Sequence, residues 1–452
     1  MGSLATDASI PSQILEISFL YAAHCLIPGI LLISTSKRSI WRYISIPVLA
    51  LIAHRFIRAA TSLGPGFIWC ELARLIVTVV FQSLNLLLIN PKDNTDLPQE
   101  IQSLVARIYY STRLFTQPRG INTPWQIKNA PAQPAYYAKR GMNQPPRGRF
   151  LLRNTAIAVW QYLALDVFAT LALQQAREQE ESQILPPTVQ WDLSVEQWIE
   201  RIISNLVAGF VVSRLLIDFH HRAFSILIVG LGLDSPSNCP PLFGRAADAG
   251  SLRGFWGYVL VSLELGIVAV SCWRMLMNLG RKFWHQLVRE PFVSVGTFIT
   301  RDILGLSKPP LERYTNIFLV FLFSGGLHVI LDVIQGIPGW ESGAMLLFMT
   351  APLGLVIEDS IKALWRSGKG INRGIESADK EGPPIWQKVL GFVWAMAWLG
   401  ITSTWYFYPQ MLRPENQALV PYSFASHVGL PAVAGAVLAG GALVAYVFEV
   451  EV

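Results

Sequence analysis

Apolar residues along this chain gather into long runs separated by short polar segments. A run of about 18 or more apolar residues is long enough to cross a bilayer as a helix. The pattern predicts an all-α, polytopic integral membrane protein. We expect about nine transmembrane helices, at 14–34, 43–60, 66–90, 154–174, 203–231, 314–336, 343–365, 388–409 and 426–447.

The overall composition agrees with this fold class and excludes several others. Hydrophobic residues make up 52% of the 452 residues and charged residues only 15%, whereas a soluble domain carries about 25% charged residues. The net charge of +6 comes from basic residues in loops and does not form a face that alternates with aromatic residues, so we expect no nucleic-acid partner. The four cysteines form no CxxC pair, which argues against a disulfide scaffold or a zinc site.

Loop charges indicate how the chain is oriented in the membrane. Segments 35–42, 91–153 and 366–388 are basic, and segment 175–202 is acidic. Basic loops stay on the cytoplasmic side, so we place the basic segments there. The N-terminus has no lysine or arginine before Lys37, and we expect both chain ends to face the lumen.

These features suggest three regions. Residues 1–90 form N-terminal transmembrane helices, 91–153 a cytoplasmic loop, and 154–452 a membrane core with its motifs within 241–328. Segment 91–153 is rich in proline, glutamine, asparagine and glycine. Its aromatic residues and mixed charge leave two interpretations, a plain linker or an element packed against the membrane helices.

A tenth apolar run, Tyr258–Leu279, does not fit the count. If it crossed the membrane, the basic segment 366–388 would become lumenal, against the positive-inside rule. The run also contains Glu264 and Arg274, which a lipid-facing helix would avoid. Removing 258–280 joins the flanking residues into the sequence SLRGFWGRKFWHQ. We therefore consider two interpretations: an insertion such as an unspliced intron, or a genuine re-entrant or interfacial helix.

Two histidines are the leading candidates for chemistry. His328 ends the sequence FSGGLH inside an apolar run, and His285 lies in RKFWHQ at the edge of a polar loop. A polar side chain at membrane depth is expensive and marks a functional site by default. The ordinary pKa of imidazole, about 6.5, suits a general base near neutral pH. The structural alternatives are helix packing around His328 and an interfacial surface position for His285.

Other polar residues in apolar runs have weaker patterns. Asp218, His220 and His221 lie within one helical turn. Interhelical hydrogen bonding is favoured there over a metal site, because no matching ligand cluster occurs elsewhere. Asp332 follows His328 by four residues, on the same helix face, where it could orient the histidine or cap the end of the span.

Four motifs together resemble the wax-synthase-like branch of the membrane-bound O-acyltransferase family. They are Pro241–Gly244, Ser251–Gly257, Arg281–Gln286 and Phe323–His328. The resemblance covers the chain from about residue 115 onward, interrupted after Gly257. It is strongest to fungal members that acylate hydroxyl groups of terpenoid or meroterpenoid natural products, with acetyl-CoA as the usual donor.

The resemblance implies roles for individual residues. His328 would act as the general base, and His285 would orient the substrate or stabilise the thioester oxygen. The side chains that would contact the substrate or the oxyanion are Trp284, Gln286 and Ser324. The basic residues that would meet the phosphates of CoA are Arg253, Arg281 and Lys282.

It also implies partners and a location. The acceptor would be a lipophilic alcohol entering from the bilayer, and acetyl-CoA or another acyl-CoA would be the co-substrate. No metal and no permanently bound cofactor are expected, and the endoplasmic reticulum is the expected membrane. The alternatives are a long-chain acyl-CoA:alcohol acyltransferase forming wax or sterol esters, and a proton-coupled transporter.

Overall fold

Nine long apolar helices make up most of the part of the chain that the structure describes. The structure is a computed structural model that describes residues 10–127, 130–181, 194–243, 286–308, 310–368, 385–411, 413 and 419–449. Within these ranges, nine helices are long and apolar enough to cross a membrane. Each of the nine predicted spans is confirmed, with ends that shift by a few residues. The run 258–280 lies outside the described residues.

The first of two compact units consists of residues 1–120 and 287–352. Its buried core is made by four helices and includes Ile17, Phe56, Ile76 and Ile334. The α-helices that lie wholly or partly in this unit are α1 (Ile10–Ser34), α2 (Ile40–Ser62), α3 (Phe67–Ser83), α4 (Leu104–Thr116), α9 (Gln286–Phe298), α10 (Leu311–Ile334) and α11 (Ala344–Gly368). Helix α3 continues as a π-helix over Leu84–Ile89, and α9 continues as one over Ile299–Ile303.

The second unit consists of residues 121–286 and 353–452. It contains the second half of α11 and eight further α-helices that cross the membrane or flank the crossings. The helices are α5 (Ala135–Ala138), α6 (Arg147–Glu181), α7 (Val195–Leu206), α8 (Ser213–Gly230), α12 (Ile385–Thr402), α13 (Thr404–Met411), α14 (Ala425–Val428) and α15 (Leu430–Phe448). A π-helix, Val207–Val212, joins α7 to α8 in one continuous span.

Segment 91–153 is more than a linker. It contains α4, whose Ser111, Leu114 and Phe115 are buried and which packs along α1. At the closest approach, a Cβ added to Gly29 would lie 2.8 Å from the backbone nitrogen of Thr112. Only glycine fits there, because a backbone atom cannot yield to a side chain. The packed interpretation of this segment is confirmed for α4.

Hydrogen bonds to the middle and to the C-terminal end of α15 hold this helix against α6. Trp160 donates its indole N–H to the Val437 carbonyl at 3.0 Å, and Arg153 donates to the Phe448 carbonyl at 3.3 Å. Glu449, directly after α15, accepts hydrogen bonds from Lys139 and Arg140 at 2.7 and 2.8 Å. These two cations hold the pKa of the Glu449 carboxyl below its usual value.

The Glu449 ion pairs correct one expectation. They place the end of the last span on the same side of the membrane as residues 139–140, which belong to the basic segment 91–153. A lumenal C-terminus and a cytoplasmic segment 91–153 are therefore incompatible. We keep the cytoplasmic segment, because its many basic residues follow the positive-inside rule, and the prediction of a lumenal C-terminus is wrong.

This arrangement predicts the result of a protease-protection experiment. An epitope inserted after Asn143 and one added after Val452 should both be digested in sealed vesicles with the cytoplasmic face outward. An epitope placed before Ile10 should be protected in the same vesicles. Opposite protection of the first two epitopes would contradict the ion pairs between Glu449 and the 139–140 segment.

Candidate active site

His328 lies in the second half of α10, and its ring has a contact on each of two sides. Its Nδ1 lies 2.8 Å from the Ser324 carbonyl oxygen, one helical turn earlier. Its ring centroid lies 4.4 Å from that of Phe348, with the planes inclined by 34°. Because a carbonyl oxygen only accepts, Nδ1 must carry the proton in this contact, and the neutral ring then carries its lone pair on Nε2. Nε2 is the nitrogen that can take a proton.

The small residues before His328 have different surroundings. A Cβ added to Gly325 would lie 2.8 Å from the Met345 sulfur and 3.3 Å from the Phe348 Cβ, whereas one added to Gly326 would meet no described atom within 4 Å. The hydroxyl of Ser324 donates to the Val320 carbonyl at 3.0 Å within its own helix. Gly325 thus serves close packing of α10 on α11, whereas Gly326 borders open space on the opposite face of α10 from His328.

Helix α9 begins one residue after His285 and runs antiparallel to α10. Near the C-terminal end of α9, the Thr297 hydroxyl accepts a hydrogen bond from Asn316 of α10 at 2.7 Å. Further back, the rings of Phe292 and Phe323 lie 5.8 Å apart. Val288 and Leu327 belong to the same buried cluster. This register brings the first turn of α9 level with the turn of α10 that carries His328.

A cluster of three aromatic rings secures this register. Phe81 of α3 lies 4.6 Å from Phe292 and 5.0 Å from Phe323, measured between ring centroids. Tilted and edge-on ring pairs contribute about 0.5–1.5 kcal/mol each beyond their buried area. The cluster therefore ties α9, α10 and α3 together within one unit.

A polar network next to the cluster was not predicted from the sequence. The Asn85 amide, 1% exposed, donates to both carboxylate oxygens of Glu290, at 2.9 and 3.0 Å. Its Oδ1 accepts from Asn90 at 2.8 Å and from the Ser294 hydroxyl at 2.7 Å. The whole hydrogen-bonding capacity of Asn85 is used, and the network joins the π-helical end of the third span to α9. An asparagine in an apolar run was the only sequence signal.

This network predicts a non-additive double-mutant cycle. Asn85→Ala should lower the free energy of unfolding by about 1–3 kcal/mol, because it leaves a buried carboxylate without its donors. Adding Glu290→Ala should recover part of that loss. The measurement is denaturant unfolding of the purified protein in detergent, with Ser34→Ala, an exposed intrahelical hydroxyl, as the neutral control. Additive effects would contradict the coupling.

Glu290 also predicts a pH dependence of stability. Burial raises the pKa of this carboxyl, and the Asn85 hydrogen bond opposes the rise. A raised pKa in the folded state means that the folded protein holds the proton more tightly than the unfolded chain. The stabilisation is therefore present at low pH and is lost as the pH rises through the raised pKa. Glu290→Gln should flatten this part of the stability profile; an unchanged profile would contradict the assignment.

The remaining candidate residues fall into two groups. Gln286 is the first residue of α9, and its side chain is outside the described part. Outside it altogether lie His285, Trp284, Arg253, Arg281 and Lys282.

Asp218 and its neighbours form interhelical hydrogen bonds, as predicted. Asp218 accepts from Gln161 of α6 at 2.8 Å and from Arg222 at 2.7 Å. His221 lies 3.2 Å from the Pro240 carbonyl oxygen. The described residues contain no group of three or more His, Cys, Asp or Glu side chains that could hold a metal ion.

Asp332 accepts a hydrogen bond from the Ser342 hydroxyl at 2.5 Å. This bond closes the turn after α10.

Comparisons with known proteins agree with this geometry. A sequence profile of the Membrane bound O-acyl transferase family matches residues 276–350, a range that includes His285, α9 and His328. Acetyltransferase pyr8 of Aspergillus fumigatus is 34% identical over 91% of this chain and 91% of its own length. The chain belongs to the membrane-bound O-acyltransferase family. The profile match begins at residue 276, inside the apolar run 258–280.

Other relatives extend the same assignment. Acetyltransferase atnC of Arthrinium sp is 34% identical over 96% of both chains. Acetyltransferase TRI7 of Fusarium sporotrichioides is 30% identical over 95% of both. No solved structure matches this chain. As a member of this family, the protein is a multi-pass membrane acyltransferase. Such an enzyme transfers an acyl group from a donor to an acceptor in a lipid environment.

Proposed function

We propose that this acyltransferase moves an acetyl group from acetyl-CoA to a hydroxyl of a lipophilic terpenoid or meroterpenoid. The supporting observation is His328, an imidazole inside a membrane helix whose Nδ1–H is engaged by a carbonyl and whose Nε2 carries the lone pair. The acetyltransferase names of the relatives favour acetyl over longer acyl groups. The endoplasmic reticulum is the proposed location.

In the proposed reaction, Nε2 of His328 accepts the acceptor's hydroxyl proton as the oxygen attacks the thioester carbonyl. A new C–O bond forms, and the carbonyl electrons move onto oxygen. The oxyanion then collapses, the C–S bond breaks, and the CoA thiolate takes the proton from His328. General-base assistance of this kind contributes about 10²–10⁴-fold in rate.

His285 and its neighbours supply the other proposed roles. His285 directly precedes α9 in the sequence, and we propose that it acts on the same substrate as His328. His285 or Gln286 would donate a hydrogen bond to the oxyanion. Trp284 and Ser324 would contact the substrate. The basic residues proposed to meet CoA phosphates are Arg253, Arg281 and Lys282.

The test uses membranes containing the full chain. They are supplied with radiolabelled acetyl-CoA or palmitoyl-CoA and a panel of terpenoid alcohols, fatty alcohols and sterols. Acetyl transfer to a terpenoid alcohol, with little palmitoyl transfer, supports the proposal. Transfer of palmitoyl alone to fatty alcohols or sterols would overturn it in favour of a wax or sterol ester synthase.

A further inference from the structure

A second polar site lies in the second unit, in a cleft between α6, α8 and the segments 133–137 and 239–241. Its lining includes Tyr137, Arg153, Asn154, Asp218 and Arg222. The cleft holds about 310 Å³ including its open mouth.

Most of the charge in the cleft is already paired. Arg222 donates to the Asp218 carboxylate at 2.7 Å and to the Asn154 side-chain oxygen at 2.8 Å. Gln161 donates to the same carboxylate oxygen at 2.8 Å. Asp218 and Arg222 thus neutralise one another, and their hydrogen bonds tie α6 to α8.

Arg153 also lines the cleft, but it makes none of the hydrogen bonds of this network. The residue is only 4% exposed. Its Nε donates to the Phe448 carbonyl at 3.3 Å, and its guanidinium lies 5.5 Å from the Tyr136 ring centroid. Neither contact brings a negative charge, and in the described part of the chain neither Nη1 nor Nη2 has a hydrogen-bond acceptor. A largely buried cation that has no carboxylate hydrogen-bonded to it is costly, most of all in a membrane helix.

The geometry and the location point to one kind of partner. A guanidinium presents parallel N–H donors that match the oxygens of a phosphate better than a point charge does. Arg153 lies near the start of α6, directly after the basic segment 91–153, and touches the carbonyl that ends α15. Both neighbours belong to the side assigned as cytoplasmic. Phosphate groups reach that side from two sources, CoA and phospholipid headgroups.

We propose that this cleft binds a phosphate group, with Arg153 as its principal ligand. If the phosphate belongs to CoA, the cleft anchors the donor and rests on the proposed acyl-CoA chemistry. If it belongs to a phospholipid of the cytoplasmic leaflet, the cleft is a lipid site independent of the reaction. In either case, the cleft is distinct from the basic residues Arg253, Arg281 and Lys282 that are proposed to meet the CoA phosphates.

The experiment measures binding, not activity, so it is separate from the test of acetyl transfer. The full-length protein, purified in a neutral detergent, is titrated with CoA in one arm and with phosphatidic acid in mixed micelles in the other. Arg153→Gln should weaken binding in one arm by about tenfold or more, as expected for lost charge-assisted hydrogen bonds. A loss confined to CoA identifies a donor site, and a loss confined to phosphatidic acid identifies a lipid site.

Two further variants keep the result decisive. Arg149→Gln is the matched control, because Arg149 is an exposed arginine on the same helix, one turn earlier and outside the cleft; both affinities should be unchanged. Arg153→Lys keeps the positive charge but loses the parallel N–H donors of the guanidinium, and it should weaken binding less than Arg153→Gln. It also decides the matter if Arg153→Gln does not fold. Affinities for both ligands within twofold of wild type in the Arg153 variant that folds would overturn the proposal.

Discussion

Replacing His328 with alanine is expected to lower acyl transfer by at least about a hundredfold while the protein stays in the membrane. The physical reason is the loss of Nε2, the atom that takes the acceptor's proton. The substitution also removes the contact with Phe348 and the bond to the Ser324 carbonyl. Turnover is measured per mole of protein in membranes, after quantifying the amount that is folded in detergent.

His220 provides the matched control for this experiment. It also lies within a membrane helix, and its Nδ1 makes the same contact, 2.8 Å from the Leu216 carbonyl one turn earlier. The intrahelical contact is therefore common to helical histidines and does not by itself mark a base. His220→Ala should retain at least about a third of wild-type turnover. Equal losses in the two variants would show that His328 is a packing residue.

Replacing His285 with alanine is the second large effect that we expect. Loss of one donor to an oxyanion typically lowers turnover by about 10²–10³-fold. The KM for the acceptor should change little, because the hydrogen bond strengthens only as negative charge develops on the oxygen. The measurement is the separate determination of kcat and KM for donor and acceptor in the same membranes.

The double variant of His285 and His328 sharpens this result. Residues that act together in one transition state lose far less in combination than the sum of their separate losses. We expect His285→Ala in the His328→Ala background to change turnover by less than about tenfold. Full additivity of the two losses would contradict a shared site, and a rise in KM alone would make His285 a binding residue.

The sequence predicted the spans well because their signal is long and simple. Each of the nine requires only an apolar run of sufficient length, and the bilayer imposes that length. The ends shifted most where a span continues into a polar region, as in α6, which extends from Arg147 to Glu181. The lumenal C-terminus was the wrong prediction, because the Glu449 ion pairs join the end of α15 to the basic segment that we place on the cytoplasmic side.

The candidate site was predictable only in part. His328 could be predicted because it is a polar residue inside an apolar run. Three features could not be predicted: the tautomer of His328, its contact with Phe348 and the antiparallel register of α9. All three depend on which helices pack together, and the periodicity of apolar residues does not determine that. Asn85 with Glu290, and Arg153 with its cleft, are joined by residues far apart in sequence. Their single polar positions carry no local motif that would pair them.

The proposed role of His328 as general base is tested most directly by a single-turnover experiment with His328→Gln. Glutamine keeps a polar side chain of similar reach but cannot accept a proton near neutral pH. Purified enzyme is loaded with radiolabelled acetyl-CoA, mixed with the acceptor alcohol, and quenched over time. The account predicts acetyl-CoA binding within about twofold of wild type and transfer at least about a hundredfold slower. Transfer within threefold of wild type would contradict it.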